Sequence, residues 1–505
     1  MRSWERTLEQ LCVHLRETAL LESIRSVLQW DERTMMPAAG GEYRAESLTW
    51  LAGSIHRRQT DPRLEDWLVE LEASPLANDP HGDAGATIRE VRREYDRQTR
   101  LPQLLVEQLA RTTVRGEQAW VEARANDSFA MLLPWLKEIF RLKRQQAEAL
   151  GYRQSPYDAL LEGFEPGAST TEVATVLEQL RSELVPLVRA IQDSGRQAPR
   201  GILQRRFPRD AQERFGRFVA AAIGFDFARG RLDVTAHPFC SSLGPHDCRI
   251  TTRYDEHFFP SAFFGILHEA GHGIYDQGLR PDQYGLAPGS ALSLGIHESQ
   301  SRLWENQVGR GRAFWQHFLP LAAREFPEAL NDVSLDDFCF AINAVNPSLI
   351  RVEADEATYN LHIVIRFELE QALITGDLTV EDLPAAWNER YRRNLGIQPD
   401  SDRDGVLQDI HWSAGLIGYF PTYSLGNLYA AQFFAQVDED LGGIEPQLAR
   451  GQFGPLREWL RERIHQVGRC YSADQLVEKV TGGGLSQRCL MSYLHRRLDP
   501  LYGLG

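Results

Sequence analysis

The chain has 505 residues, 43% apolar, 25% charged and 10% aromatic, with 70 acidic against 55 basic residues and a net charge of −15. Apolar material is ample for a large core without cross-links, and the negative field argues against nucleic acid or an anionic membrane as a partner. Length alone would allow several domains.

The sequence opens with "MRSWERTLEQLCVHLRETALL", whose charges are mixed into an amphipathic pattern. It has neither the unbroken apolar run nor the small-residue cleavage site of a secretory signal. No stretch approaches the 18 or so apolar residues that span a bilayer, so a cytoplasmic location is expected. Helical periodicity follows at once, with Leu8, Leu11 and Leu15, then Ile24, Val27 and Leu28, on recurring faces. It resumes in "TIREVRREYDRQTRLPQLLVEQLART" and in "TEVATVLEQLRSELVPLVRAIQDS", where Thr170 or Thr171 is the expected N-terminal cap. Breakers such as "MMPAAGG" and "FEPGAST" separate the helices. There is no fixed-period repeat and no long linker. The expectation is a mainly α protein, a single domain over 1–505 with one helical body or two lobes around a cleft.

One stretch departs from this pattern. "RLDVTAHPFCSSLGPHDCRITTRYDEHFFP" alternates, is rich in β-branched residues and carries Pro/Gly turns, so it reads as a small sheet or hairpin. A substrate could lie along its edge strand. Of the six cysteines, at 12, 240, 248, 339, 470 and 489, none forms a C-x-x-C pair. Cys240 and Cys248 flank one short loop and could bridge, although a reduced pair is the expectation for a chain without a secretory signal.

Immediately afterwards comes "FFGILHEAGHGIYDQG". On a helix, His268 and His272 lie one turn and about 40° apart, so both can reach one ion. Glu269 sits about 100° round from His268, placed to take a proton and not to ligate. Phe263, Leu267 and Ile274 form an apolar stripe to anchor the helix, and the small Ala270 and Gly271 leave room for substrate or a neighbouring helix. By chance this pattern would arise in roughly 3 chains in 100 of such composition, so a third ligand is needed to carry the reading. No histidine follows closely. "SLGIHESQSRLWENQ" offers Glu298, which taken alone is equally well an ion pair with Arg302 one turn on. With the histidine pair ahead of it, the ligand reading is the better one. An ion so held acidifies water to a pKa of about 7 and polarises a carbonyl, while Glu269 moves the proton. Those are the parts of a peptidase.

A free C-terminal carboxylate is best gripped by an arginine fork. Arg249 in "HDCRITT" and Arg351 in "SLIRVEADEATYNLH" are the candidates, although each alone is commonly a structural ion pair, and Arg351 has Glu353 and Asp355 nearby.

Six segments in order, "HPF" (237–239), "DCRIT" (247–251), "HEAGH" (268–272), "HESQ" (297–300), "IRVEAD" (350–355) and "GVLQDIHW" (405–412), resemble the motifs of the carboxypeptidase Taq family of metallocarboxypeptidases. The early "WDERTMMPAAG" is also similar. The resemblance implies a mostly helical fold with a deep groove and a homodimer. By it, His268, His272 and Glu298 bind one zinc ion per chain (cobalt can serve) and Glu269 is the general acid/base. It also implies that Arg351 and Arg249 hold the substrate carboxylate while His237 and His411 line the cleft. Family members remove C-terminal residues one at a time with broad preference, so the expected partners are peptides with a free C-terminus. An oxyanion donor besides the metal is still wanted. "GYFPTYSLGN" supplies Tyr419 and Tyr423, and Tyr423, expected in an exposed turn opening a helix, is the better candidate. The rival readings are a zinc oligopeptidase or dipeptidyl carboxypeptidase and a non-catalytic helical scaffold.

Overall fold

The computed structural model describes residues 2–504. The chain divides into two compact units, each assembled from three separated segments. One comprises the segment through Thr99 with Pro199–Ile342 and Phe433–Gly482; the other comprises Arg100–Ala198, Asn343–Gln432 and the segment from Gly483 on. Helices dominate both, and among the described residues none is long and apolar enough to cross a membrane.

In the first unit the expected sheet is present and mixed. Strands β1 (Gly230–Val234), β2 (Cys240–Ser242) and β3 (Cys248–Thr252) lie in the order β1-β3-β2, with β1 parallel and β2 antiparallel to β3. Leu232 and Cys240 both pair with Ile250, which is fully buried in the central strand. The chain then enters the helix Phe259–Gly278. Phe263, Leu267 and Ile274 are buried as the stripe predicted. Phe259 and Phe263 stack with centroids 5.0 Å apart, and Trp315 lies 5.0 Å from Phe263. Aromatic packing of this kind fixes the rotation of the helix about its axis, and hence where its histidines point.

The first helix, Ser3–Thr34, follows its sequence pattern over half its length. Leu11 is fully buried, with Leu8 and Leu15 packed beside it against Leu64, Leu68, Leu71 and Ile88. Ile24 and Val27 are exposed instead, in line with Val13 and Leu20 on the same side. Periodicity told which residues share a face, and among the described residues none buries this one.

The second unit is built around the helix Glu356–Thr375, which is buried on all sides and correspondingly apolar. The helix Thr170–Asp193 begins after Ser169, and neither threonine caps it. Asp158 accepts the Thr170 N–H at 2.9 Å while its other oxygen accepts that of Ser155 at 3.0 Å. A carboxylate from the preceding helix thus satisfies one of the orphan donors of the first turn.

Candidate metal centre and arginine cluster

Gly271 decides how closely two helices approach. A Cβ there would stand 2.6 Å from Ser301 Cα and 2.7 Å from the Gln300 carbonyl oxygen. The room that Ala270 and Gly271 leave is therefore filled by the helix Leu294–Arg302, whose Glu298 is carried up to the histidines. Glu298 Oε2 lies 3.7 Å from His268 Nε2 and 3.5 Å from His272 Nε2. One donor atom from each of the three falls within 4.8 Å of the others. Bonds of 2.0–2.1 Å at tetrahedral angles require donors about 3.3 Å apart, so Glu298 stands within a few tenths of an ångström of the spacing that a small divalent cation needs from each histidine. The two readings of Glu298 do not exclude each other: its other oxygen accepts from Arg302 Nε at 2.7 Å.

Hydrogen bonds behind the ligands orient them. For Nε2 of each histidine to offer a lone pair, Nδ1 must carry the hydrogen. His268 Nδ1 is 2.9 Å from Glu305 Oε2, a carboxylate that can only accept. Glu305 lies in a π-helical stretch, Leu303–Val308, that continues the Glu298 helix. Such wide turns recur at functional sites. His272 Nδ1 is 2.6 Å from His297 Nδ1, and His297 Nε2 is 3.1 Å from Asp276 Oδ1. When neutral His297 donates from Nε2 to Asp276 it accepts at Nδ1, which fixes the hydrogen on His272 Nδ1. Carboxylate–histidine support of this type raises ligand basicity.

The electrostatics suit a cation. Burial opposes charge on His268, yet the Glu298 charge and the Glu305 hydrogen bond outweigh it and raise its pKa to about 9. His272, buried and facing His297, falls to about 4. Glu298 is buried but held well below the usual carboxylate range by Arg302 and His268. Glu269, 7% exposed on the adjacent face, goes the other way. Burial, against only partial compensation from His268, lifts it to about 7, the value that suits a general base near neutrality.

Of the other predicted residues, two lie in this unit. Arg249 in β3 is engaged by Asp247 through Nε (2.9 Å) and Nη2 (2.8 Å) and stacks on Trp30, its guanidinium carbon 4.3 Å from the ring centroid. His237 is exposed on the connection before β2.

The second unit gathers Arg351, His411, Tyr419 and Tyr423. Arg351 is buried and does not pair with Glu353 or Asp355; its carboxylate is Asp409, 2.7 Å from Nη2 and 3.1 Å from Nε. Asp355 is occupied in capping the helix Glu356–Thr375, accepting from Ala357 and Thr358. Asp409 also accepts from Arg366 Nε at 2.7 Å, so two buried guanidinium groups share one carboxylate. Arg351 Nη1 donates to Tyr359 Oη at 3.1 Å, and the guanidinium carbon lies 5.2 Å from the Tyr423 ring centroid. His411 is 5.5 Å from Tyr419 and 6.5 Å from Tyr423 between centroids. Tyr423 is half-buried in the first turn of the helix Pro421–Asp440 and not in an exposed turn, because the helix opens two residues ahead of it.

Sequence reasoning passed over Glu305, Asp276, His297, Arg366 and Asp409. Asp276 stands one turn beyond His272 and Glu305 two turns beyond Glu298, so both were readable as same-face neighbours. Arg366 was visible as a charge interrupting the apolar run "IVIRF".

Comparison with known proteins identifies the family. The family model described as carboxypeptidase Taq (M32) metallopeptidase matches residues 10–498. "Thermostable carboxypeptidase 1" of Thermus thermophilus is 48% identical over 508 residues, covering 99% of each chain. "Carboxypeptidase 1" of Bacillus subtilis is 38% identical over 477 residues, 94% of this chain and 95% of that one. The crystal structure of a family carboxypeptidase from Deinococcus radiodurans R1 superposes with a TM-score of 0.95 at 38% identity, covering 99% and 100% of the two chains. The chain belongs to the carboxypeptidase Taq family of metallopeptidases.

Proposed function

We propose that the metal-dependent carboxypeptidase activity belonging to this family is carried here by a zinc ion on His268, His272 and Glu298, with Glu269 as the proton-transfer group. The observation that carries the proposal is the convergence of three donor atoms within 4.8 Å beside the buried carboxyl of Glu269. When bound, the ion supplies Lewis-acid polarisation of the scissile carbonyl and makes water acidic enough to attack near neutral pH. Glu269 takes the proton of the attacking water and passes it to the departing amine. Glu305 and His297 keep the imidazoles in the ligating tautomer. Cobalt, with similar ligand preferences, would serve in place of zinc.

Substrates are peptides with a free C-terminus. Arg351 is the residue assigned to the terminal carboxylate. Two guanidinium groups against the single carboxylate of Asp409 leave a surplus positive charge that a substrate anion neutralises. Arg249 adds a contact through the edge that Asp247 does not engage, and His237 and His411 are each assigned to substrate contacts. Tyr423 is assigned to the oxyanion, with Tyr419 beside it at 5.3 Å between centroids; a Tyr423→Phe variant with full turnover would remove that role. The whole chain, 1–505, acts as one catalytic domain, in the cytoplasm. A homodimer is supported by the exposed stripe of Val13, Leu20, Ile24 and Val27, and by Trp50, 67% exposed on the next helix; a second copy covers that face. A single-chain mass by sedimentation equilibrium would contradict it.

The deciding experiment incubates one short peptide with a free and with an amidated C-terminus and identifies the products. Release of single residues from the free peptide alone is expected; equal cleavage of both means an oligopeptidase.

A further inference from the structure

On the far side of His297 from the candidate metal centre, a second set of donors converges. Cys240 in β2 and Cys248 in β3 are diagonal neighbours, since Ser242 pairs with Cys248 and Cys240 with Ile250. Both therefore share one face of the sheet, the side on which the helix Phe259–Gly278 packs. Gly273 permits that packing: a Cβ there would lie 3.4 Å from Cys248 Sγ and 2.5 Å from Phe225. Asp276, one turn along the same helix, completes the set.

The spacing is that of a coordination polyhedron. Cys240 Sγ lies 3.6 Å from Cys248 Sγ and 3.9 Å from Asp276 Oδ2. Zinc–sulfur bonds of 2.3 Å and zinc–oxygen bonds of 2.0–2.2 Å at tetrahedral angles put two sulfurs about 3.8 Å apart and sulfur and oxygen about 3.5 Å apart. Two soft sulfurs and one carboxylate are a zinc-class donor set and a poor one for calcium or magnesium. Asp276 also borders a cavity of about 70 Å³, lined further by Ser242, Gly244 and His246, through which water and an ion can reach its carboxylate.

We propose that Cys240, Cys248 and Asp276 form a second cation site, separate from His268, His272 and Glu298, for a zinc-class divalent ion. Each thiol gives its proton to solvent as its sulfur takes the ion, and Asp276 binds through Oδ2 while Oδ1 stays with His297. The ion thereby fixes the carboxylate that braces His297 against His272. The proposal does not depend on the hydrolytic reading.

Cobalt titration of the full-length apoprotein, reduced with a phosphine, tests it. The set of two histidines and a glutamate has no sulfur, so its cobalt complex lacks a thiolate-to-cobalt charge-transfer band in the near ultraviolet. The expected result is two cobalt ions per chain, one accompanied by that band. In Cys240→Ser the stoichiometry drops to one and the band goes. Asp276→Asn, which keeps both sulfurs, retains the band but needs at least tenfold more cobalt to reach it. A saturated wild-type protein without the band overturns the proposal, as does a band that survives in Cys240→Ser, whether or not the peptidase assay succeeds.

Discussion

His272 and His297 face each other Nδ1 to Nδ1 at 2.6 Å, and only one of these nitrogens can carry the hydrogen when both rings are neutral. Asp276 settles which, because it occupies the far nitrogen of His297 as an acceptor. The tautomer of a ligand is thus set two residues away. Replacing His297 with alanine should lower affinity for the catalytic ion by about 10- to 100-fold while leaving turnover at saturating metal within a few-fold. Chelator competition measures the first quantity and metal-saturated kinetics the second. An unchanged affinity would mean that His297 merely packs.

Gly271→Ala should separate two helices whose backbones touch at that point, since a Cβ would meet Ser301 Cα at 2.6 Å. The expected cost is about 1–3 kcal/mol of stability, as for other overpacked sites, with at least a tenfold loss of ion affinity as Glu298 is pushed away. Denaturant melts of the apoprotein separate the two effects. Wild-type ion affinity in a destabilised variant would show that Glu298 is not held by this contact.

Arg351→Lys keeps the charge and removes the fork. Its planar pair of bonds to Asp409 cannot be reproduced by an ammonium group. We expect kcat/KM on a free-ended peptide to fall by about 100-fold, the order associated with losing a buried charge-assisted pair. Residual activity on the amidated peptide should not change, so the preference for a free terminus collapses. Equal losses on both substrates would reduce Arg351 to a structural role.

Much of the candidate metal centre was legible in the sequence because helical spacing is local: His268, Glu269 and His272 owe their relation to one turn of backbone. Glu298 needed a second helix, and the want of a third ligand after the histidine pair pointed to it before the order of motifs did. The support behind it was not legible. Glu305 meets His268 across 37 residues and Asp409 meets Arg366 across 43, and such pairings depend on how helices pack. The first helix shows the same limit: Leu11 and Ile24 both lie on apolar faces of the period, yet one is covered and the other bare.

Glu370 gives the second unit a pH signature. It is fully buried and accepts from Tyr157 Oη (2.5 Å), Trp412 Nε1 (2.8 Å) and the Gly418 N–H (3.1 Å). Burial outweighs these donors and raises its pKa from 4.5 to about 7. The folded state therefore binds the proton more tightly than the unfolded chain does. Its contribution to stability is full below pH 4.5 and is lost as pH rises to about 7, a change of order 3 kcal/mol. Comparing denaturant stability of wild type and Glu370→Gln from pH 4.5 to 8 isolates it, and the difference between the two should shift over that window. A constant difference would mean that Glu370 is ionised throughout.

The most direct test of the account pairs metal content with turnover in Glu269→Gln. Glutamine fills the same space beside His268 and cannot take a proton, while the three ligating side chains are untouched. The account predicts the wild-type metal complement on His268, His272 and Glu298, with kcat on a free-ended peptide reduced by about 1,000-fold. Turnover within tenfold of wild type would contradict it, as would loss of the bound ion.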